Sequence, residues 1–393
     1  MKYSIATPRN FSASQWRNIL TASIGGHPLR LSTLTTRGLL LLLFCSASAW
    51  AQKASELIYD IGSTNFPSSH ASTVVELKNG NVMSAWFGGT AEGKSDVAIW
   101  AATRTSTGWE KPVEVVREPG TPCYNPVLFY THDGRLWLYY KFGPSPATWS
   151  AGRMYSLDNG KTWSAPEHLP AGLLGPIRTK PLVEADGTIV SGSSIESYRT
   201  WAVWIERSTN NGASWAKIGP IVPPADLDQK GYGDGKSNAV KDVPGSNDWK
   251  FTQGIIQPTV LQVSGKHLRL YARSTSKTAR VTIADSYDNG LTWTPAKPLE
   301  VPNPNSGIDA VILRDGRVVL IYNNTTTART PLNLAVSKDG EHFTMFRTLE
   351  SEPGEYSYPA MVEAANGDLL MTYTYNRKTI KYVRLALSDV PRP

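Results

Sequence analysis

The stretch Ser286-Tyr287-Asp288-Asn289-Gly290-Leu291-Thr292-Trp293 decides the fold of this chain. A close copy occurs at 156–163. Degenerate copies begin at Ser208, where Asn replaces Asp, and at Ser337, where the motif is one residue shorter. Asp and Ser side chains in such a segment can bond the amides of a hairpin turn, while the Trp covers the base of the hairpin. The repeated segment therefore predicts a structural turn whose Asp and Trp residues do no chemistry.

Each turn belongs to a longer unit that repeats along the chain. The unit opens with a polar residue followed by Pro or a small residue. It then has two apolar runs around an Asx-Gly turn, as in Val74–Leu77, Asn79-Gly80 and Val82–Phe87. A four-stranded unit repeated about every 50 residues is typical of a propeller blade. The sequence therefore predicts an all-β, six-bladed β-propeller, whose units open at His70, Tyr124, Thr179, Ile256, Ile308 and Ser357.

The composition and two irregular segments fit this architecture. Among 393 residues, 13 Trp and 17 Tyr stand beside 32 Gly and 27 Pro, which favours short strands and tight turns over helices. A hydrophobic share of 40% excludes a disordered or fibrous class. The chain at about 219–251 breaks the period and predicts an insertion over one face. Glu56–Ile61 is predicted to close the ring by joining the last blade.

Residues 1–51 predict a secretory signal peptide. Five of the 40 basic residues and none of the 33 acidic residues lie there, followed by the apolar run Gly38–Cys45 and the small-x-small pattern Ala49-Trp50-Ala51. The rest of the chain, 52–393, is the predicted propeller and has nearly balanced charge, so no nucleic-acid partner is expected. The apolar run is too short for a stable membrane anchor. We expect a secreted or periplasmic protein, cleaved near Ala51.

The four copies of this turn, in a chain of six repeated units, resemble the Asp-box repeats of the sialidase (neuraminidase) superfamily, over residues 55–388. In that superfamily three arginines hold the carboxylate of the sugar, and a tyrosine polarised by a glutamate is the nucleophile. An aspartate is the acid and base. By order along the blades, the resemblance implies that Arg273 and Arg329 bind a carboxylate. It further implies that Tyr358 is the nucleophile and that Asp96 is the acid and base.

Two positions depart from the superfamily pattern. The first arginine, expected in an Arg-Ile-Pro opening, is replaced by His70, and the glutamate partner of the tyrosine is replaced by Gln257. A glutamine cannot take the proton of a tyrosine hydroxyl, whose ordinary pKa is about 10. The glutamine therefore argues against the usual activation of the nucleophile, whereas the expectation of an acidic sugar substrate is unchanged.

A ring of polar side chains is expected at one mouth of the axial channel. The residue before the Pro or small position is polar in all six units, which packing does not explain because blade cores are apolar. The ring forms either a ligand pocket or a hydrogen-bonded network that seals the channel. On the pocket reading the amide and charged side chains bind substrate, and the histidine is a general acid or base near neutral pH. The six residues are His70, Asn125, Lys180, Gln257, Asp309 and Tyr358.

Three functions remain open at this point. The first is an exported exo-glycosidase of the sialidase type that removes a terminal acidic sugar from a glycan with retention. The second is a lyase acting on uronic-acid-containing glycans, in which His70 and Tyr358 exchange the proton next to the carboxylate. The third is a non-catalytic glycan-binding propeller. No cofactor is expected, and no metal motif such as His-x-x-x-His or a cysteine pair is found.

Overall fold

The computed structural model describes residues 55–197, 201–224 and 254–393. These residues form six antiparallel sheets, each with four or five strands. The six-bladed, all-β prediction is therefore confirmed. Within the described ranges there is no α-helix, and only two short 3-10 helices occur, at Pro146–Thr148 and Leu387–Asp389. None of the helices in those ranges is long and apolar enough to cross a membrane.

The strands follow one another blade by blade. Strand β1 is Ser55–Leu57, and the first blade consists of β2 (Ser68–Glu76), β3 (Val82–Gly89), β4 (Ala98–Thr105), β5 (Gly108–Trp109) and β6 (Val113–Val116). The second blade consists of β7 (Cys123–Tyr130), β8 (Leu136–Phe142), β9 (Ser150–Ser156) and β10 (Glu167–His168). The third consists of β11 (Leu182–Val183), β12 (Ile189–Glu196), β13 (Trp201–Ser208) and β14 (Ala216–Ile221).

The remaining three blades complete the ring. The fourth consists of β15 (Ile255–Ser264), β16 (His267–Ser274), β17 (Arg280–Ser286) and β18 (Lys297–Pro302). The fifth consists of β19 (Asp309–Ile312), β20 (Val318–Tyr322), β21 (Leu332–Ser337) and β22 (Thr344–Glu350). The sixth consists of β23 (Tyr356–Glu363), β24 (Leu369–Tyr375), β25 (Thr379–Leu385) and, as its outer strand, β1.

The ring is closed by the first strand of the chain. Ser55 pairs with Val383 and Leu57 with Lys381, so β1 is the edge partner of β25 in the last blade. The predicted closure by this segment is therefore confirmed. The signal peptide predicted for 1–51 lies outside the described residues, as does most of the insertion predicted near 219–251.

The core is divided among the interfaces between neighbouring blades. Among the residues that the structure describes, six apolar clusters occur, and each joins residues of two adjacent blades. Phe87 and Tyr140, for example, pack between the first two blades, and Trp86 and Tyr382 pack where the last blade meets the first. Because burial of apolar surface is the main favourable term in folding, these interfaces fix the blades around the axis.

The repeated Ser-x-Asp turns are held by their own side chains. Asp288 accepts hydrogen bonds from the Thr292 amide at 2.8 Å and from its hydroxyl at 2.6 Å, while Ser286 Oγ accepts from the Gly290 amide at 2.8 Å. Trp293 then packs against the apolar cluster between the third and fourth blades. Asp158 makes the same two contacts with Thr162. These hydrogen bonds belong to a structural turn.

A shared β-bulge shapes four of the six first strands. Pairing shifts between Ser357 and Ala360 on β23, and equivalent shifts occur on β2, β7 and β15. The bulged residue has a positive φ in each case: 56° at Ala71, 40° at Asn125, 55° at Gln257 and 51° at Tyr358. A bulge bends the strand and re-aims its side chains. The first strands therefore direct selected side chains toward one another.

The bulge also corrects the register of the polar ring. Ala71, and not His70, occupies the position of Asn125, Gln257 and Tyr358, because His70 is the last paired residue before the shift. His70 thus corresponds to Ser357 in the last blade. The six ring residues are not strictly equivalent, and His70 reaches the centre from one residue earlier in its strand.

Candidate functional site

Tyr358 is the centre of the candidate site. It lies at the bulge of β23, and its side chain is half-buried. Its hydroxyl oxygen accepts a hydrogen bond from Arg273 Nη1 at 2.7 Å and a longer one from Gln257 Nε2 at 3.4 Å. A positive φ at a bulky residue is rare and marks local strain, which persists where surrounding contacts hold it.

Three arginines surround the ring of this tyrosine. The guanidinium carbons of Arg178, Arg273 and Arg329 lie 5.2, 5.6 and 5.5 Å from the ring centroid. They come from three blades, because Arg178 precedes β11, Arg273 lies on β16 and Arg329 follows β20. Guanidinium groups this close to an aromatic ring interact favourably with it. Together they give this cluster a positive charge, which favours a carboxylate ligand nearby.

Arg273 is held in place by three neutral acceptors. Its Nε donates to Asn305 Oδ1 at 2.8 Å, and its Nη1 donates to Gln257 Oε1 at 3.2 Å as well as to the Tyr358 hydroxyl. Its guanidinium also lies 5.2 Å from the ring of Trp201. Because none of these contacts is a carboxylate, they leave the positive charge of Arg273 available to an anionic ligand.

Gln257 connects the tyrosine to a carboxylate that the sequence did not single out. Its Nε2 donates to Glu196 Oε1 at 3.2 Å, and its Oε1 accepts from Arg273. Glu196 is the last residue of β12 and is partly exposed at its surface. Burial of the carboxyl raises the pKa of Glu196, against the opposing charge of Arg273 and the hydrogen bond from Gln257. A site carboxylate is therefore present, in a blade different from the expected one.

His70 packs directly against Tyr358. Their ring centroids are 4.2 Å apart, and His70 Nδ1 lies 2.9 Å from Thr374 Oγ1. Burial holds the pKa of His70 well below its usual 6.5, and four arginines lower it further. These are Arg377, Arg329, Arg178 and Arg273. The histidine is therefore neutral at pH 7, and the potential at this point of the site is positive.

Asp96 lies at the edge of the site. It is exposed, in the loop between β3 and β4, and its carboxylate accepts from the amide and hydroxyl of Thr90 at 2.8 and 2.7 Å. The hydroxyl bond of Thr90 lowers the pKa of Asp96. The same loop reaches the central cluster through Glu92, which pairs with Arg377 at 2.6 Å. Asp96 is therefore linked to the site through the loop that it shares with Glu92, and its carboxylate contacts Thr90.

An acidic bridge ties this loop to the arginines. Glu355 accepts from Arg329 Nη1 at 2.7 Å and from Arg377 Nε at 2.9 Å, while Arg377 also pairs with Glu92. Arg329 is therefore paired, unlike Arg273, whose partners are neutral. A ligand carboxylate at Arg329 would share that arginine with Glu355.

The other ring residues serve different contacts. Lys180 Nζ binds both carboxylate oxygens of Asp309, at 2.9 and 3.0 Å, and the fully buried Asp309 also accepts from the Met361 amide at 2.8 Å. This ion pair matches the sealing network that the sequence left open for these two positions. Asn125 is buried at the bulge of β7, the position that Gln257 and Tyr358 hold in their own blades.

Arg178 lies deepest among the arginines. Its side chain is buried, and its Nη2 donates to the carbonyl oxygen of Pro359, next to Tyr358. Burial lowers the pKa of Arg178 to about 10, so it stays charged at pH 7. Nothing in its surroundings along the chain marks Arg178 as central to the site.

The described residues hold no group of three or more His, Cys, Asp or Glu side chains placed to bind a metal ion. The cluster contributes the chemistry of its own side chains. It offers a tyrosine hydroxyl, a neutral imidazole, a carboxylate with a raised pKa and several guanidinium groups.

Comparison with known proteins assigns this chain to a family. The BNR repeat-like domain matches residues 80–371, about three quarters of the chain. No curated protein gives a significant match to the sequence.

Solved structures of similar fold include two sialidases. The NanB sialidase of Streptococcus pneumoniae is 13% identical, with a TM-score of 0.65, over 86% of this chain and 71% of that one. The intramolecular trans-sialidase of Ruminococcus gnavus is 14% identical, with a TM-score of 0.64, over 88% and 100%. A Dyadobacter fermentans protein of unknown function is 15% identical, with a TM-score of 0.65, over 85% and 99%. Identities this low show a common fold only.

Proposed function

Since this chain belongs to the BNR repeat-like domain family and is a propeller of the sialidase superfamily, we propose that it is a glycosidase that removes a terminal acidic sugar from glycans. One observation carries the proposal. The Tyr358 hydroxyl accepts a 2.7 Å hydrogen bond from Arg273, inside a cluster of guanidinium groups. A nucleophile and a carboxylate-binding cation are thus in contact in one pocket.

In the proposed reaction, the sugar carboxylate binds Arg273 and Arg329. Tyr358 Oη attacks the anomeric carbon, and its proton passes to Glu196. Asp96 gives a proton to the leaving oxygen as the glycosidic bond breaks. Water then attacks the same carbon and gives its proton to Asp96, while the bond from that carbon to Tyr358 Oη breaks and the tyrosine regains its proton from Glu196. The sugar leaves with retained configuration.

Glu196 takes the role that Gln257 cannot fill. The raised pKa of Glu196 makes its ionised form a stronger proton acceptor than an ordinary carboxylate. Gln257 positions it, because its amide donates to Glu196 while its carbonyl accepts from Arg273. A base in the third blade thereby replaces a glutamate in the fourth.

Asp96 must be protonated to act as the acid. In the free protein the Thr90 hydroxyl lowers the pKa of Asp96, so the carboxyl is ionised at neutral pH. A bound glycan that displaces water from this exposed group would raise its pKa again. The proposal therefore predicts a rate that falls toward alkaline pH as protonated Asp96 is lost.

Product analysis on two glycan sets tests the proposal. One set carries terminal sialic acid and the other a terminal uronate. Release of a free acidic sugar, with the retained anomer seen first by proton NMR, supports the glycosidase. Absence of any free acidic sugar from both sets contradicts it.

A second candidate function is a lyase acting on uronate-containing glycans. The packing of His70, neutral at pH 7, against Tyr358 favours it. His70 would take the proton on the carbon that carries the carboxylate, and the bond from the neighbouring carbon to the glycosidic oxygen would break. Tyr358 would protonate that leaving oxygen. The product would be an unsaturated uronate that absorbs in the ultraviolet. The same assay detects it once the uronate set includes glycans whose uronate carries a sugar at O4. Binding of either set without turnover would support glycan binding as the only function.

We also propose that the protein is exported, on the basis of the charge distribution and the small-x-small pattern near Ala51. Expression of the full chain followed by N-terminal sequencing of the secreted or periplasmic fraction tests this. A mature protein that still begins at Met1 would contradict export with cleavage.

A further inference from the structure

Arg178 makes contacts that carbohydrate binding does not explain. Its guanidinium lies 5.2 Å from the Tyr358 ring, and its Nη2 donates to the Pro359 carbonyl at the bulge of β23. Among the described residues, its buried Nε and Nη1 have no hydrogen-bond partner. The side chain is only 1% exposed, so it lies behind the tyrosine and not at the mouth of the pocket.

Such a position is unfavourable for stability alone. A buried cation with unpaired donors destabilises the folded state unless charges or dipoles compensate it. Partial compensation comes from Asp309, whose charge raises the pKa of Arg178, and from the face of the Tyr358 ring. Unpaired buried polar groups are rare in native structures, so the two donors of Arg178 call for an explanation.

The segment that carries Arg178 is fixed by buried charges from two blades. Glu206 on β13 accepts from the amides of Leu174 and Gly175, at 3.0 and 2.6 Å. Lys141 on β8 donates to the Pro176 carbonyl at 2.8 Å. Both charged side chains are fully buried, and burial lowers the pKa of Lys141 to about 7. The backbone just before Arg178 is therefore held firmly.

A glycine leaves room for the arginine. A Cβ atom added at Gly307 would lie 2.9 Å from Arg178 Nε and 3.5 Å from Tyr358 Cα. The backbone at Gly307 does not have a positive φ, so an alanine is allowed there by conformation. The absence of a side chain at this position thus serves the packing of Arg178 behind Tyr358.

We propose that Arg178 is a positioning residue for Tyr358. It holds the Tyr358-Pro359 bulge through the Pro359 carbonyl and places a positive charge behind the ring, so that the hydroxyl stays aimed at Arg273. Arg178, from the third blade, is thus the third guanidinium of the site. It acts on the tyrosine and does not contact the ligand. This inference rests on the proposed role of Tyr358 as the reactive group.

Kinetics of two Arg178 variants test the proposal. Arg178→Met keeps the length but removes the charge and the hydrogen bond, and we expect kcat to fall about 100-fold with KM changed by less than about threefold. Arg178→Lys keeps the charge, and its kcat should be about tenfold higher than that of Arg178→Met. Wild-type kcat in Arg178→Met, or a loss that appears mainly in KM, would overturn the proposal.

Arg269→Met is the matched control. Arg269 is equally buried, but it pairs with Asp285 and Glu341 away from the tyrosine. Its loss should lower the thermal midpoint without lowering kcat of the folded fraction. If Arg269→Met loses as much kcat as Arg178→Met, the effect of Arg178 is one of general stability and the proposal is wrong.

The position of the Tyr358 hydroxyl in crystal structures tests the role of Arg178 independently of activity. Gly307→Ala crowds Arg178 from the side, and crystal structures of Gly307→Ala and Arg178→Met should show the Tyr358 hydroxyl displaced from Arg273. An unchanged tyrosine in both variants would refute the positioning role. If the wild type turns over neither glycan set, the proposed function fails, while these structures still decide whether Arg178 positions Tyr358.

Discussion

Replacing Tyr358 with phenylalanine separates binding from chemistry at the candidate site. The change removes one oxygen atom and leaves the ring between Arg178, Arg273 and Arg329. That oxygen accepts hydrogen bonds at 2.7 Å from Arg273 and at 3.4 Å from Gln257. All other contacts of the site stay in place.

Tyr358→Phe is expected to lower turnover far more than it lowers stability or ligand affinity. A hydrogen bond to a charged group contributes about 1.5–3 kcal/mol to stability. Arg273 keeps Asn305 and Gln257 as acceptors, so we expect the lower end, about 1.5 kcal/mol. Turnover should fall by about 10³-fold or more, or roughly 4 kcal/mol, because the reacting atom is absent. The Kd for an acidic sugar should change by less than about threefold.

The assay combines kcat on the cleaved glycan with calorimetric binding of the free acidic sugar. Tyr271→Phe is a suitable control, because this buried tyrosine donates to the Gly340 carbonyl at 2.8 Å in the blade interior. It should lose about 1 kcal/mol of stability and no turnover of the folded fraction. Wild-type turnover in Tyr358→Phe would refute both enzymatic mechanisms as assigned here.

Four further outcomes are expected. Arg273→Ala should weaken binding of acidic sugars by about 1.5–3 kcal/mol in a binding titration and leave neutral sugars unaffected. Glu196→Gln should lower kcat at least tenfold with little change in KM, and wild-type kcat would exclude it as the base. The unfolded chain protonates His70 below about pH 6.5, whereas the folded protein does not. The urea-derived unfolding free energy should thus fall by up to about 1.4 kcal/mol per pH unit below 6.5, and His70→Asn should lack this component. Lys180→Met should lower the unfolding free energy by about 3–5 kcal/mol, because it removes the cation that pairs with buried Asp309. Adding Asp309→Asn should recover most of that loss. An unchanged unfolding free energy in Lys180→Met would show that the pair contributes little to folding.

The six-bladed architecture could be predicted because it depends on short sequence patterns that repeat along the chain. The turn at Ser286–Trp293 and the alternation around Asn79-Gly80 are short-range signals, and each repeats in other units. Ring closure was predicted for Glu56–Ile61 because this segment precedes the first unit, and the pairing strand is Ser55–Leu57. Such features depend on neighbours along the chain, which is why sequence alone reveals them.

The register of the polar ring could not be read in the same way. His70 and Tyr358 both precede a small residue or Pro, yet the bulged position with positive φ is Ala71 in one strand and Tyr358 in the other. A positive φ is unusual for both alanine and tyrosine, so neither residue type predicts the position of the bulge. The offset is set by strand pairing and becomes visible only in the folded sheet.

The two side chains that complete the cluster were hidden for a different reason. Glu196 ends an ordinary strand, and Arg178 lies in an irregular segment before the third opening. Both reach Tyr358 across blade boundaries, through Gln257 or behind the ring. Contacts between residues so distant in sequence leave no periodic pattern, and only the closed ring brings them together.

Closure of the last blade by β1 has a kinetic consequence. Ser55 pairs with Val383, so the ring cannot close until nearly the whole chain is available. Bringing such distant segments together has a large loop-closure entropy, and folds dominated by non-local pairing fold slowly. Until that moment β25 presents an unpaired edge, the kind of edge that recruits strands from other chains. We therefore expect aggregation during refolding to be most sensitive to substitutions in Ser55–Leu57, even though this strand is short and far from the site.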